Sequence, residues 1–451
     1  MSRFIPVNRH QQYLLPPTVD EWLPDNHLAR FIAEIIDQLD LSRLTSRYRG
    51  RGSAAHHPSV LLALLVYGYA TGVFSSRKIE RATYDSVAFR FLSADTHPDH
   101  DTLAHFRKTF LVELEDLFVQ VLSLAQAMKL VKLGQLSLDG TKIKANASKH
   151  KALSHGHIEK REAQLRGEVQ TLLQHAAETD AADARDGLDL PDELARREQR
   201  LQALAEAKAK IAERVKPRDE QAQKEYQDKL DHRAAQRQAG KKPRGPEPKA
   251  PEAGPKADDQ INLTDEESRI MPSHNGFVQG YNSQAAVDVE TMLIVGTHVS
   301  QQTNDKQQVE PMLAELEKLP ETLGQANALL ADTGYFSAAN VRACGKQHID
   351  PLIAMGRDSH HAPLAERLAP DAAEPDSDDP VVKMAWYLKT REGKARYAKR
   401  KCTVEPVFGI IKQVMGFRQF SLRGLEAVAG EWKLVAMAFN LKRMHTLVMA
   451  G

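Results

Sequence analysis

The chain has few cysteines, no long hydrophobic run and almost no net charge, and each of these absences excludes a class of protein. Two cysteines among 451 residues, Cys344 and Cys402, are too few for a disulfide framework or a cysteine-rich zinc site. The most apolar early stretch, Ser59–Tyr69, is too short to span a bilayer, and no signal-peptide pattern precedes it. A formal net charge of +1 excludes a strongly basic or acidic protein but says nothing about nucleic acid, for which the local distribution of charge has to carry the argument. We therefore expect a cytoplasmic protein without a membrane partner.

Composition and periodicity divide the chain into four segments. Residues 1–130 have helical patterns, residues 131–149 contain the first strand-like alternation, and residues 261–451 combine strands with helices. Residues 150–260 are rich in Glu, Lys, Arg, Gln and Ala and carry only two thin apolar stripes. These stripes predict two long exposed helices packed as an antiparallel coiled-coil arm. The Pro- and Gly-rich stretch 240–259 predicts a flexible linker within this segment.

The order of strands and helices in the last segment predicts its architecture. The patterns favour strands at 280–289, 292–300, 327–332 and 350–354, and helices at 305–319, 337–346, 381–400 and 426–449. With a first strand at 135–139, this order predicts a mixed sheet flanked by helices, hence an α/β fold. Asp305 stands at the start of a predicted helix, and its predicted role is that of a helix cap.

The first segment contains a run of short predicted helices with tight turns between them. Pro58 opens a buried helix that ends at Gly72. The next helix carries basic side chains at Arg77, Lys78 and Arg81. This layout suits a helix-turn-helix-like module that binds DNA. A plain helical bundle with a basic solvated face is the alternative, and these residues alone favour it.

Three acidic residues occupy comparable places in the predicted secondary structure. Asp139 and Asp332 each end a predicted strand, and Glu405 lies beside Pro406 where a helix with an apolar stripe begins. If the two strands are neighbours, both aspartates emerge at the same edge of the sheet, and a C-terminal helix can bring Glu405 opposite them. Each acid also has an ordinary explanation, because aspartate is favoured in turns and glutamate in first helical turns.

A shared site for these acids implies divalent cations. Three carboxylates with few basic partners repel each other unless they hold metal ions, and hard oxygen ligands suit Mg²⁺ or Mn²⁺. Two such ions, roughly 4 Å apart, activate the attacking oxygen and stabilise the leaving oxygen in phosphoryl transfer. Lys142 and Lys144 follow the first acid in sequence and are candidates to hold an anionic DNA backbone.

Three motifs resemble those of the DDE transposases of bacterial insertion sequences: Asp139-Gly140-Thr141, Ala331 to Phe336, and Val404 to Lys412. The stretch His57–Leu92 is similar to the helical N-terminal domain of that family. The resemblance covers nearly the whole chain except the arm. It implies an RNase H-like mixed sheet flanked by helices, with an all-α N-terminal domain and a helical insertion after the first strand. It also implies two metal ions at Asp139, Asp332 and Glu405.

In this family a Tyr, an Arg, the Glu and a Lys recur around the third acid. Tyr397, Arg400, Glu405 and Lys412 match them in kind and order. The family spacing puts three residues between the Arg and the Glu, whereas Arg400 is one residue further away and Lys401 has the expected spacing. Both Arg400 and Lys401 therefore stay candidates for the phosphate contact.

The resemblance implies a transposase that binds the terminal inverted repeats of its element. It would cut with a metal-activated water and join the freed 3′-hydroxyl to target DNA. Paired element ends imply a homodimer or a higher synaptic complex on double-stranded DNA, associated with the nucleoid. Two alternatives are a DNA-binding regulator without catalysis and an RNase H-fold nuclease without strand transfer. The presence of all three acids argues against the first, and the sequence does not separate the second from a transposase.

Overall fold

The computed structural model describes residues 18–48, 55–148, 151–182, 190–238, 246–273, 276–356 and 370–450. The chain forms two compact units, one made of Met1–Asn146 with Met271–Gly451 and the other of Ala147–Ile270. Within the described ranges no single helix is long and apolar enough to cross a membrane; one sharply bent helix pair passes the same length and composition test.

Short helices form the N-terminal region of the first unit. They are α1 (Leu28–Asp37), α2 (Ser42–Thr45), α3 (Pro58–Thr71), α4 (Ser76–Asp85), α5 (Val87–Leu92), α6 (His100–Thr109) and α7 (Glu113–Ala127). Pro58 takes the first position of α3, where its missing N–H is not needed. The helix ends where Gly72 adopts the left-handed conformation, with φ 86°. The predicted bounds of this helix are therefore confirmed. Strand β1 (Gln135–Lys144) follows α7.

The second unit is a helical hairpin on a short two-stranded stem. It contains β2 (Ala152–Ser154), α8 (His155–Ala182), α9 (Leu190–Gln238) and β3 (Gln260–Asn262), and β2 pairs antiparallel with β3. Ion pairs from Glu168 to Arg197 and from Glu159 to Lys208 show that the helices run antiparallel. The two predicted long helices are thus confirmed. Residues 246–259 have no regular structure, and residues 239–245 of the predicted linker lie outside the described residues.

A six-stranded mixed sheet forms the centre of the first unit. Its later strands are β4 (Arg269–Ser273), β5 (Gly276–Asp288), β6 (Ile294–Ser300), β7 (Ala328–Ala331) and β8 (Asp350–Ile353). Neighbouring strands follow the order β4-β5-β1-β7-β8, and β6 also pairs with β5. Strand β5 runs antiparallel to β1 and β6, whereas β7 is parallel to β1 and to β8. Helix α10 (Val309–Glu317) joins β6 to β7, and α11 (Ala338–Lys346) joins β7 to β8. This is the RNase H-like fold that the motifs predict.

The prediction that the first strand ends at Asp139 is wrong. Strand β1 continues to Lys144 because β5, 13 residues long, pairs with it from Leu136 to Lys144. The shorter strand β7 pairs only with the beginning of β1, up to Ser137 opposite Leu330. Asp139 therefore lies inside a strand, at the level where its parallel neighbour has ended.

The C-terminal helices differ in one respect from the prediction. They are α12 (Pro380–Tyr387), α13 (Arg391–Ala398), α14 (Val404–Gly409) and α15 (Leu425–Ala450). The single helix predicted at 381–400 is broken into α12 and α13, and Thr390 caps the second through Gly393 N–H. Gly393 packs against the Tyr387 carbonyl so closely that a Cβ there would lie 1.9 Å from its oxygen. A turn of π-helix, Ile410–Val414, follows α14.

Aromatic side chains join the N-terminal helices to the sheet region. Phe417 packs against Tyr69 and Phe74 of the helical region, with ring centroids 6.0 and 5.3 Å apart. It also packs against Phe420, which contacts Tyr281 of β5. The helical region and the sheet therefore share one apolar core.

Candidate active site

The three predicted acids gather at the carboxyl end of β7. Asp332 directly follows this strand and caps a short 3₁₀ turn. Asp139 and Asp332 both stand just beyond the last pair of β1 and β7, Ser137 with Leu330, so they occupy equivalent places on neighbouring parallel strands. Glu405 lies in the first turn of α14. The sequence-based expectation that neighbouring strands bring the two aspartates to one edge agrees with this register.

Arg400 connects two of the acids. Its Nη1 lies 3.5 Å from Asp139 Oδ2, and its Nη2 donates a hydrogen bond to Glu405 Oε1 at 3.2 Å. The Arg400 side chain is 10% exposed, whereas that of Glu405 is 52% exposed. A buried guanidinium requires anionic partners, and here two acids provide them. Arg400 Nε is buried and has no hydrogen-bond partner within the described residues.

The chain takes up the extra residue between Arg400 and Glu405 in the turns that join α13 to α14. There the Arg400 N–H donates to the Tyr397 carbonyl, and the Thr403 N–H donates to the Arg400 carbonyl. Lys401, which has the family spacing, is exposed. The structure therefore places Arg400 against the acids and leaves Lys401 on the surface. Burial raises the pKa of the neighbouring Tyr397, and the Arg400 charge partly offsets this shift.

The Asp139 carboxyl group is strongly perturbed by its surroundings. Its pKa is raised to about 6, chiefly by burial and also by the charges of Asp332 and Asp305. A hydrogen bond from the Gly140 N–H, at 2.8 Å, and the charge of Arg400 act in the opposite direction. Desolvation and repulsion between nearby carboxylates are the two effects that a bound cation would relieve.

Asp305 is not the helix cap that the sequence predicts. Helix α10 begins at Val309, and Gln308 occupies the capping position without a side-chain hydrogen bond. Asp305 Oδ1 instead accepts hydrogen bonds from Asn282 Nδ2 at 2.7 Å and Gln284 Nε2 at 2.8 Å. The prediction failed because these partners are fixed by the register of β5, which no local sequence signal reveals. Asp305 is thus a fourth carboxylate near the predicted acids.

The predicted lysines lie on or against the second half of β1. Lys412 reaches across from the π-helical turn and donates to Thr141 Oγ1 and, at 3.1 Å, to the Lys142 carbonyl. Burial lowers the pKa of Lys412, and the charges of Lys142 and Arg418 lower it further. Lys144 is exposed at the end of the strand. Lys412 and Lys142 therefore lie along the second half of β1, beyond Asp139.

The basic residues of α4 form a separate group. Arg77, Lys78 and Arg81 are exposed, and Arg81 pairs with Asp85 at 3.2 Å. Among the described residues no ion pair or hydrogen bond joins them to the acids. The turn before α4 nevertheless approaches the end of the π-helical turn, since a Cβ on Gly72 would lie 3.0 Å from the carbonyl oxygen of Met415.

The acids offer the ligands that a hard divalent cation prefers, but their arrangement is not that of a closed metal site. Within the described residues no group of three or more His, Cys, Asp or Glu side chains is placed to hold a metal ion. The Arg400 guanidinium lies between Asp139 and Glu405 and contacts both of them. The donor chemistry fits Mg²⁺ or Mn²⁺, provided that this guanidinium moves.

Comparison with known protein families gives two matches. A family model described as "Transposase DDE domain" matches residues 244–441, which include Asp332 and Glu405. A second model, described as "Transposase domain (DUF772)", matches residues 17–109, which include helices α1 to α6. The two matches together cover more than half of the chain. No curated protein and no solved structure matches the chain.

Proposed function

The chain belongs to the DDE transposases of insertion sequences, and from this premise we propose that it binds the terminal inverted repeats of its element and cuts and joins DNA strands there. The single observation that carries the proposal is the meeting of Asp139, Asp332 and Glu405 at the end of β7, with Arg400 between two of them. Carboxylates in this arrangement suit phosphoryl transfer with divalent cations.

We propose that these three acids hold two Mg²⁺ ions, for which Mn²⁺ can substitute. Bound there, the ions would supply an activated water and stabilise the leaving oxygen. Backbone groups of the chain hold two of the acids in place. The Gly140 N–H donates to Asp139 Oδ1 and the Gly334 N–H donates to Asp332 Oδ1, both at 2.8 Å. These hydrogen bonds fix the orientation of Asp139 and Asp332 on the backbone.

The basic residues would hold the DNA. Arg400 has a buried guanidinium that can exchange a carboxylate for a phosphate oxygen, because both accept its forked donors. Lys412, Lys142 and Lys144 extend the positive charge along β1, and Tyr397 lies beside Arg400. In this proposal Arg77, Lys78 and Arg81 on the exposed face of α4 hold phosphates of the inverted repeat.

Two ends of one element must be held together during transposition, so we propose a homodimer or a higher synaptic complex on the nucleoid. The proposed domains are a helical DNA-binding domain at residues 1–130, the strand segment at 131–149, the arm at 150–260, and the remainder of the catalytic domain at 261–451. The alternatives are a regulator that binds without cutting and a nuclease that cuts without joining. The experiment below separates all three.

The test is cleavage of labelled element-end DNA with Mg²⁺ or Mn²⁺, comparing wild type with Glu405→Gln. This substitution keeps the shape and removes the charge, so binding should persist while cleavage falls about 100-fold. Glu426→Gln is the matched control, because Glu426 is also an exposed glutamate in a first helical turn. Equal cleavage by wild type and Glu405→Gln would overturn the metal-site proposal. Binding without cleavage by either protein would support the regulator, and cleavage without joined products the nuclease.

Removal of Arg400 should make metal binding easier in the absence of DNA. In Arg400→Gln the ion no longer competes with a guanidinium for Asp139 and Glu405, so Mn²⁺ affinity should rise severalfold, roughly 1 kcal/mol. Titration of Mn²⁺ followed by electron paramagnetic resonance measures this directly, with Lys401→Gln as the exposed neighbouring control. An unchanged or weakened affinity in Arg400→Gln would show that the guanidinium supports the metal site and does not occupy it.

A further inference from the structure

Asp305 is a fourth carboxylate beside the candidate active site, and neither its predicted capping role nor the three-acid scheme explains it. We propose that Asp305 is a positioning residue that holds the ammonium group of Lys142 at the active site. This inference rests on the proposed transposase function. Its evidence is a set of contacts on the face of the sheet opposite to Arg400.

Within the described residues, three polar side chains converge on one oxygen of Asp305. Oδ1 accepts hydrogen bonds from Asn282 Nδ2 and Gln284 Nε2, and Lys142 Nζ lies 3.6 Å from it. The side chains of Lys142 and Asp305 are 18% and 23% exposed, so water screens this pair only partly. Two neutral amides thus fix the carboxylate, and Lys142 is its cationic partner.

The β1–β5 register explains why these groups meet. Gly140 lies opposite Gln284, and Lys142 lies opposite Asn282. Residues two apart on a strand share a face, so Gly140 and Lys142 face one side of the sheet while Asp139 faces the other. Asp305 therefore approaches the end of β7 from the side opposite to Arg400 and Glu405.

Two glycines allow Asp305 to come this close to the proposed catalytic acids. A Cβ on Gly140 would lie 2.7 Å from Asp305 Oδ1, and one on Gly334 would lie 3.8 Å from Asp305 Oδ2. Gly140 follows Asp139, and the Gly334 N–H donates to Asp332. The carboxylate is thus packed between the segments that carry the two catalytic aspartates.

The two amide hydrogen bonds do not account for the negative charge of Asp305. Its charge raises the pKa values of both Asp139 and Tyr335, so it adds repulsion to a site already rich in carboxylates. An asparagine oxygen would accept the same two amide hydrogen bonds without this repulsion. The contact that needs a negative charge is the one to Lys142.

A buried chain of hydrogen bonds holds Asp305 in place. The Tyr335 hydroxyl donates to Gln284 Oε1, and Gln284 Nε2 donates onward to Asp305. Asn340 Nδ2 donates to the carbonyls of Tyr335 and Lys306, which ties the turn after β7 to the segment that carries Asp305. Asp305 is therefore rigidly placed, and the Lys142 ammonium that it holds is fixed with respect to the turn of Asp332.

A double-mutant cycle on single-turnover cleavage at saturating DNA tests the proposal. Asp305→Asn and Lys142→Gln should each slow cleavage about tenfold at saturating DNA, where a weaker binding of DNA does not limit the rate. The double variant should be no slower than the slower single variant, because both changes remove one shared interaction. Glu310→Gln, which removes an exposed negative charge nearby in sequence, should cut at the wild-type rate. The proposal would be overturned if the loss of cleavage rate in the double variant equalled the product of the losses in the two single variants.

A second measurement does not depend on cleavage. Competitive acetylation followed by mass spectrometry compares the reactivity of Lys142 with that of the exposed Lys144. Asp305→Asn should raise the relative reactivity of Lys142 severalfold, because its ammonium loses a stabilising carboxylate. Unchanged reactivity would overturn the positioning role even if wild type cuts DNA. If wild type does not cut, increased reactivity still supports the contact while the proposed function fails.

A direct metal-ligand role would give a different pattern. If excess Mn²⁺ restores cleavage by Asp305→Asn but not by Lys142→Gln, Asp305 acts through the ion, and the positioning proposal is overturned. If excess Mn²⁺ restores cleavage by neither variant, both variants are slow because the Lys142 ammonium group is lost or is no longer held by Asp305, as proposed.

Discussion

Replacement of Asp139 by asparagine should abolish DNA cleavage and, at the same time, stabilise the metal-free protein. The Asp139 side chain is 19% exposed, against 52% for Glu405, and it would contact both the ions and the developing charge, so we expect a loss of about 1000-fold in rate. The same carboxylate is desolvated and repelled by Asp332 and Asp305. An uncharged amide removes both the desolvation cost and the repulsion. The substitution should therefore lower the cleavage rate and raise the free energy of unfolding.

The stability change depends on pH in a defined window. The pKa of Asp139 is raised from 3.8 to about 6 in the folded protein. At a pH below the pKa of Asp139 in the unfolded protein, the carboxyl group is neutral in both the folded and the unfolded state. As the pH rises through the pKa of the folded protein, the folded protein must hold a charge that its surroundings disfavour. Between about pH 4 and pH 6 the wild type should therefore lose roughly 1–3 kcal/mol relative to Asp139→Asn.

Urea denaturation in EDTA at pH 4 and pH 7 measures this difference, and the cleavage assay measures the rate. Asp288→Asn is the control for activity, because Asp288 is a buried carboxylate of the same sheet that accepts hydrogen bonds from Thr291. That variant should cut DNA at nearly the wild-type rate. A destabilised Asp139→Asn at pH 7, or one that still cuts, would contradict this account of the site.

Replacement of Glu431 by alanine should produce the largest loss of stability. Glu431 is fully buried in α15 and accepts hydrogen bonds from the Tyr69 hydroxyl at 2.6 Å and from the N–H groups of Ser421 and Leu422. Arg107 in turn donates to the Tyr69 hydroxyl. Removal of the Glu431 carboxylate leaves the buried Tyr69 hydroxyl and the two partly buried N–H groups without this acceptor, so we expect a cost of about 3–5 kcal/mol.

Thermal or urea unfolding of Glu431→Ala measures this cost. Glu426→Ala is the control, because Glu426 lies exposed on the same helix and should cost at most about 1 kcal/mol. Glu431→Gln keeps one acceptor oxygen and should fall between the two. If Glu431→Ala is no less stable than Glu426→Ala, the buried network does not hold the helical region against the sheet.

The sequence predicts well those strands and helices whose bounds depend on local pattern. The strand at 350–354 and the helix at 337–346 agree with β8 and α11 to within about one residue. The end of β1 could not be predicted, because it is set by the length of β5, more than a hundred residues later in the chain. The break between α12 and α13 depends on the close approach of Gly393 to Tyr387, which has no periodic signal.

The site shows the same division between local and long-range information. Asp139, Asp332 and Glu405 could be named because each stands beside a recognisable motif, although their roles remain predictions. The choice between Arg400 and Lys401 required the geometry of the turns before α14. Asp305 was missed because its partners, Asn282 and Gln284, are brought to it only by the folded sheet.

The short stem of the inserted unit has a consequence for the evolution of the chain. Ser154 lies directly opposite Gln260 in the β2–β3 pair, so the backbone leaves and re-enters at neighbouring points. The segment between Ser154 and Gln260 therefore begins and ends at this strand pair, regardless of how many residues the segment contains. Insertions or deletions within the hairpin of α8 and α9 can therefore leave the β2–β3 pairing in place.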